Sequence, residues 1–320
     1  MHAASVILLS WAMIGAACFF PQAMAGFTAG LLALLVAVVG LPHGAADHRF
    51  ARSRLEPVLG MAWMPVFLVG YLVVAAVVVC GWFVAPAVTI AGFFLASAWH
   101  FGQEEPRFLI GPRTLRPVFR FARGGLVIWT PLVFHAGEVT AILGVATPVG
   151  SGPAIDWAIS LLTGCSWIML ATAAAAWGLQ GLAASGRTGR MRRVLLADNA
   201  LVASLVTLFA VASPLVSFPV YFCAWHSARG LKRLRIELGE SWPELARSLA
   251  PLTAGAIGLV GLAAWLVLGG AGWNGMLIRA TFIGLSAVAM PHLLLHGVAP
   301  LFEASARRRT TQPLPCGSPA

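Results

Sequence analysis

Between Met61 and Val84 the chain carries no charged side chain, and the run is long enough to cross a lipid bilayer. In hydrocarbon every backbone N–H and C=O must be satisfied within the protein, which restricts spanning structures to helices and closed barrels. The rest of the sequence repeats the theme. Hydrophobic residues make up 59% of it and charged residues only 10%, against about 25% charged in a soluble domain. So few charges could not cover a water-exposed surface, so the chain reads as an integral membrane protein. The apolar runs lack the two-residue alternation of barrel strands, so the spans are helices.

Ten apolar segments follow from this reading: Ala4–Phe20, Phe27–Leu41, Met61–Val84, Ala87–Phe101, Gly124–Phe134, Ile155–Leu179, Val194–Ala212, Val216–Trp225, Pro251–Leu268 and Met276–Val298. Several fall short of a full span, so the expected fold is an all-α polytopic bundle of about 8–10 transmembrane helices. One transmembrane domain is expected over residues 1–302, and a polar, disordered cytoplasmic tail over 303–320. The first segment resembles a signal peptide, with Ala-Met-Ala at 23–25, but no basic region precedes it, and it reads as an uncleaved first span. Five scattered cysteines without a C-x-x-C pair suggest neither a zinc site nor a disulfide framework.

The net charge of +10 comes from arginines, with Lys232 the one lysine. On a soluble chain this excess would suggest nucleic acid, but no separate basic domain exists here. The basic residues instead cluster after every second segment: Arg49, Arg52 and Arg54; Arg107 to Arg123; Arg187 to Arg193; Arg229 to Arg235; and Arg307 to Arg309. That is the positive-inside pattern of a multi-pass cell inner (plasma) membrane protein with both termini cytoplasmic. Arg279 departs from it, at a helix start from which it can snorkel. The stretch Arg229–Leu249 reads as an amphipathic surface helix followed by a turn at Trp242-Pro243.

Histidine is the residue type that this topology gathers. His43 ends segment two, His100 ends segment four, His226 ends segment eight, and His292 and His296 lie near the end of segment ten. All are even-numbered segments running inward, which puts five imidazoles at one depth in the cytoplasmic half of the membrane. Neutral imidazole is the commonest protein ligand for iron, copper and zinc. His292 and His296, spaced i, i+4, share a helix face and can hold one metal. His43 and Asp47 have the same spacing, so Asp47 is placed to accept the second N–H of a ligating imidazole. His48 faces elsewhere, His135 falls on the opposite side of the membrane, and His2 is terminal.

Blander readings exist for each residue alone. A histidine beside a tryptophan, as at His100 and His226, is often interfacial, and Pro291-His292 is a candidate kink. Gln103-Glu104-Glu105 reads as a helix end, with Glu104 or Glu105 also able to orient a histidine. Asp198 and Asn199, inside segment seven, need partners, whether structural or functional. Five histidines at one depth outweigh these separate explanations.

The motifs Pro-His-Gly-Ala-Ala-Asp-His at 42–48, His-Phe-Gly at 100–102, Tyr-Phe-Cys-Ala-Trp-His-Ser at 221–227 and Pro-His at 291–292 resemble the Brp/Blh family of membrane β-carotene 15,15′-dioxygenases. The resemblance implies an all-helical enzyme that holds non-haem Fe(2+) on histidines and uses O2 to cleave the central double bond of β-carotene into two molecules of retinal. It implies His43, His100 and His226 as iron ligands and a further histidine four residues after His226. Gly230 stands there instead, which leaves the fourth ligand to His292 or His296. The product implies a link to a retinal-binding opsin. The rival readings are a haem-binding membrane protein, a non-catalytic partner of a retinal protein, motivated by Gly230, and a histidine-box lipid desaturase. The desaturase would need a di-iron site with more histidines than this chain gathers.

Overall fold

Helices account for nearly all of the residues that the structure, a computed structural model, describes: 2–25, 29–104, 112–147, 152–267 and 272–310. In order they are α1 (His2–Phe19), α2 (Pro21–Ala25), α3 (Ala29–Leu35), α4 (Leu41–Ala45), α5 (Asp47–Leu59), α6 (Trp63–Val84), α7 (Pro86–Gln103), α8 (Arg116–Gly124), α9 (Leu126–Phe134) and α10 (Ala136–Ala146). They continue as α11 (Pro153–Ser185), α12 (Gly189–Val211), α13 (Pro214–Pro219), α14 (Ala228–Leu238), α15 (Trp242–Val267) and α16 (Gly272–Thr310). Two π-helical stretches, Val36–Gly40 and Val220–Ser227, join α3 to α4 and α13 to α14. No strand occurs among the described residues. The chain is an all-α membrane protein.

Proline sets many of the boundaries. Pro86, Pro153 and Pro214 sit in the first turns of their helices, where the missing N–H costs nothing. Pro42 and Pro219 flank the π-helical stretches. Each removes one i→i−4 hydrogen bond from an otherwise continuous helix, and a wider turn is one way to re-satisfy the carbonyl left behind.

Among the described residues, five stretches are long and apolar enough to cross a membrane: Ala29–Val84, Pro153–Ser185, Gly189–Val211, Trp242–Leu262 and Gly272–Gly297. The pair α9–α10 makes a sixth if counted as one span, although it bends by 110° at His135. This is fewer than the 8–10 expected. Part of the difference is that the expected segments Phe27–Leu41 and Met61–Val84 fall within the one stretch Ala29–Val84; α1 falls below full length, and Val216–Trp225 folds as part of α13 and the second π-helical stretch. Many large apolar side chains face outward, among them Val69, Val77, Leu161, Trp167, Ile168 and Leu262. A surface of this kind suits lipid rather than water.

Two groups of arginines expected in loops lie on helices instead. Arg49, Arg52 and Arg54 are on α5, where Arg52 pairs with Glu56 one turn on at 2.8 Å. Arg116, Arg120 and Arg123 are on α8. Arg123 is buried, donating to Gln180 Oε1 at 3.0 Å and to Asp198 Oδ2 at 2.8 Å. Gln180 in turn donates to Asp198 Oδ2 at 2.5 Å and to Asn199 Oδ1 at 2.9 Å. Asp198 and Asn199 therefore belong to a structural network joining α8, α11 and α12. The amphipathic stretch is α14, closed by Gly239 at φ 69°, before α15 begins at Trp242. Helix α16 continues as far as Thr310, into the range expected as a tail; residues 311–320 lie outside the described residues.

The crossing of α7 over α8 places His100. A β-carbon on Gly124 would lie 2.6 Å from Gly102 Cα, and one on Gly102 would lie 2.5 Å from Arg120 O. Only glycine at both positions allows the backbones to approach this closely. Trp82, fully buried, donates its indole N–H to Ser286 Oγ at 2.8 Å and ties α6 to α16.

Candidate metal centre

Four helical segments distant in sequence each end a buried face in histidine, and the four rings meet. His43 is edge-on to His226 at 4.9 Å between ring centroids and to His292 at 5.2 Å. His100 stands 5.5 Å from His226 and 4.9 Å from His292. The Nε2 atoms of His100 and His292 are 3.3 Å apart. His100, His226 and His292 are buried, and the Nε2 atom of His43 is buried without a hydrogen-bond partner.

Two carboxylates back the rings. Asp47, 2% exposed, lies 2.7 Å through Oδ1 from His292 Nδ1. Glu104 Oε2 lies 3.3 Å from His226 Nδ1. A carboxylate on Nδ1 fixes the tautomer and leaves the Nε2 lone pair free to bind a cation. Asp47 also faces Tyr71, whose hydroxyl donates to Val288 O at 2.7 Å. Within this cluster two sets of three donors, Asp47–His292–His296 and His100–Glu104–His226, each lie within 4.8 Å of one another. The Nε2 contact between His100 and His292 joins the two sets.

The structure brings all five expected histidines together, at unequal ranks. His292 is the inner member of the i, i+4 pair, and His296, with its side chain 34% exposed, reaches Asp47 Oδ1 at 3.3 Å from the outside. Asp47 supports His292 and His296, not His43 as the i, i+4 spacing suggests. The helix is interrupted at Ala46, between α4 and α5, and Asp47 Oδ1 is taken by the two histidines of α16. His48 turns away, its Nδ1 2.6 Å from Ala45 O. His135 sits at the α9–α10 elbow, 3.9 Å from Glu138. Glu104 is a histidine partner rather than a simple helix end, and Glu105 lies outside the described residues. Tyr71 gave no sequence signal, since a single tyrosine in a long apolar helix reads as packing.

Gly230 explains how the rings fit. A β-carbon there would lie 2.6 Å from His43 Nδ1. The His43 imidazole occupies the space into which any larger residue at 230 would project.

Beside the histidines lies a partly open pocket. Its walls are apolar and rich in phenylalanine, including Phe93, Phe94, Phe218, Phe222 and Phe282. Apart from the imidazoles, its wall offers few polar groups, Ser97 among them. Such walls suit an apolar molecule, with the imidazoles as the polar end.

The comparisons with known proteins identify the family. A family described as beta-carotene 15,15′-dioxygenase matches residues 34–298. The chain is 29% identical over 271 residues to a beta-carotene 15,15′-dioxygenase of uncultured marine bacterium 66A03, covering 82% of this chain and 90% of that protein. It is 30% identical over 251 residues to a probable beta-carotene 15,15′-dioxygenase Blh of Halobacterium salinarum, covering 72% of each. No solved structure matches. With its family match enclosing His43, His100, His226 and His292, the chain belongs to the beta-carotene 15,15′-dioxygenase family.

Proposed function

We propose that the protein is a membrane dioxygenase that cleaves the central 15,15′ double bond of β-carotene with O2, giving two molecules of retinal. One oxygen atom of O2 goes to each of the two carbons of the broken bond, so two aldehydes account for every atom. The observation that carries the reading is four imidazoles, from four separate helical segments, at the end of an apolar cavity. The names of the relatives supply the substrate.

In this reading His43, His100, His226 and His292 hold Fe(2+). The donor set suits it: neutral nitrogens, with an unpartnered buried Nε2 on His43 and carboxylates behind His226 and His292. When bound, the iron supplies the redox chemistry that lets O2 react with a closed-shell alkene. The protein's own groups do the rest. Asp47 holds the Nδ1 proton of His292 and keeps His296 beside it. Glu104 orients His226, and its own carbonyl accepts from Arg229 at 2.7 Å. The phenylalanine walls exclude water and press the polyene into one line past the rings.

The arginine distribution supports residence in the cell inner (plasma) membrane with both termini cytoplasmic. Retinal production would link the enzyme to a retinal-binding opsin. Imidazole centroids 4.9 to 5.5 Å apart stand closer together than two axial ligands on opposite faces of a haem, which disfavours a bis-histidine haem. The test is to load purified protein with Fe(2+), supply β-carotene and O2, and separate the products. Retinal formed in step with β-carotene lost supports the proposal. Well-folded, iron-loaded protein that leaves β-carotene intact refutes it.

A further inference from the structure

Tyr71 lies on α6, which supplies no histidine to the centre, yet its hydroxyl sits among three elements that do the work there. It donates to Val288 O on α16 at 2.7 Å and stands 3.5 Å from Asp47 Oδ2 on α5. Helix α4 passes the same corner. A β-carbon on Gly44, next to His43, would lie 3.4 Å from Val288 Cγ1 and 3.9 Å from the Tyr71 hydroxyl oxygen.

The carbonyl that Tyr71 binds is four residues before His292, so along a helix it is the acceptor for the His292 N–H. The residue between them in the ladder is Pro291, which has no N–H to give to Ala287 O. Helix α16 is therefore weakened in the very turn that carries the histidine, and helices kink at such places. Tyr71 takes hold of that turn from outside the helix. The ring of His292 is held separately, through Nδ1, by Asp47 Oδ1 at 2.7 Å. A phenol has one proton to donate, and the nearer acceptor, Val288 O, takes it, with the second oxygen of Asp47 alongside.

We infer that Tyr71 is a positioning residue for His292: it pins the Pro291 turn of α16 beside Asp47 and so holds His292 Nε2 where it meets His100 Nε2, 3.3 Å away. The inference rests on the proposed metal reading and extends the support of the centre to a helix that contributes no ligand.

Tyr71→Phe keeps the ring and removes the hydroxyl. Trp82→Phe is the matched control. It also cuts a hydrogen bond from α6 to α16, that of the Trp82 indole to Ser286 Oγ, and Ser286 keeps its own bond to Ile283 O. Full-length wild type and both variants, each checked for folding by gel filtration, are stripped of metal in detergent and titrated with Fe(2+) in the absence of O2. A parallel titration uses Co(2+), whose visible bands report ligand geometry. Tyr71→Phe should bind both metals about tenfold or more weakly, as displaced supporting groups do, and should shift the Co(2+) bands. Trp82→Phe should melt earlier but bind as wild type does. Wild-type affinity and spectrum in Tyr71→Phe overturn the inference, and so does an equal loss of affinity in Trp82→Phe, which would make the effect one of general α6–α16 packing. If Tyr71→Phe does not fold, Tyr71→Met, an adaptable side chain that also lacks the hydroxyl, decides in its place. Wild type that binds neither metal removes the metal reading and the role of Tyr71 together. Wild type that binds iron but forms no retinal from β-carotene and O2 refutes the proposed function alone.

Discussion

The His43 ring lies where the side chain of residue 230 would begin, with Nδ1 2.6 Å from the place of a β-carbon on Gly230. The family resemblance leads to the expectation of a histidine at this position. In this chain the His43 imidazole fills that space, and His292 completes the set of four rings. Gly230→Ala should therefore push His43 off its neighbours and lower retinal formation by about tenfold or more, the scale on which metal sites respond to displaced supporting groups. Gly230→His should harm rather than repair. Turnover and bound iron measured on both variants check this; an increase with histidine would contradict it.

Asp47 is the shared acceptor of His292 and His296. Asp47→Asn keeps the shape and one acceptor oxygen but loses the charge, and should cost about 10–100-fold in metal affinity or activity. Iron titration of the purified variant, followed by turnover at saturating iron, separates the two effects.

His292 and His296 should not be equivalent. The inner ring contacts His100 and is buried, whereas the outer one meets Asp47 from the lipid or solvent side. Replacing His292 by Ala should abolish bound iron and retinal formation, and His296→Ala should leave measurable amounts of both. Equal loss from the two would mean that both rings reach the metal.

The Arg123–Gln180–Asp198 network is predicted to matter for stability alone. Arg123→Ala strands a largely buried carboxylate, a change that typically costs about 3–5 kcal/mol. The variant should melt earlier in detergent, while its folded fraction retains the iron content of wild type. Unchanged melting would show that water or lipid headgroups replace the arginine.

Much of this was legible in the sequence, for definite reasons. Helices spanning a bilayer need long uncharged runs, so the all-α class was readable from composition and run length. The histidines meet because each sits near the end of an apolar segment, and a topology argument can expect that. Spacing could not show who partners whom. Asp47 meets His292 of α16, a relation between residues 245 positions apart. Arg123 looked like a loop cation because charge counts carry no depth, and Gly230 looked like a loss because the ring that fills its space comes from another helix.

The most direct test of the central claim is made in cells that accumulate β-carotene. Expression of this chain should bleach the orange colour and yield retinal in the extracted pigments, and His43→Ala should prevent both. Undiminished β-carotene alongside abundant, folded wild-type protein, with no retinal in the extract, would contradict the account.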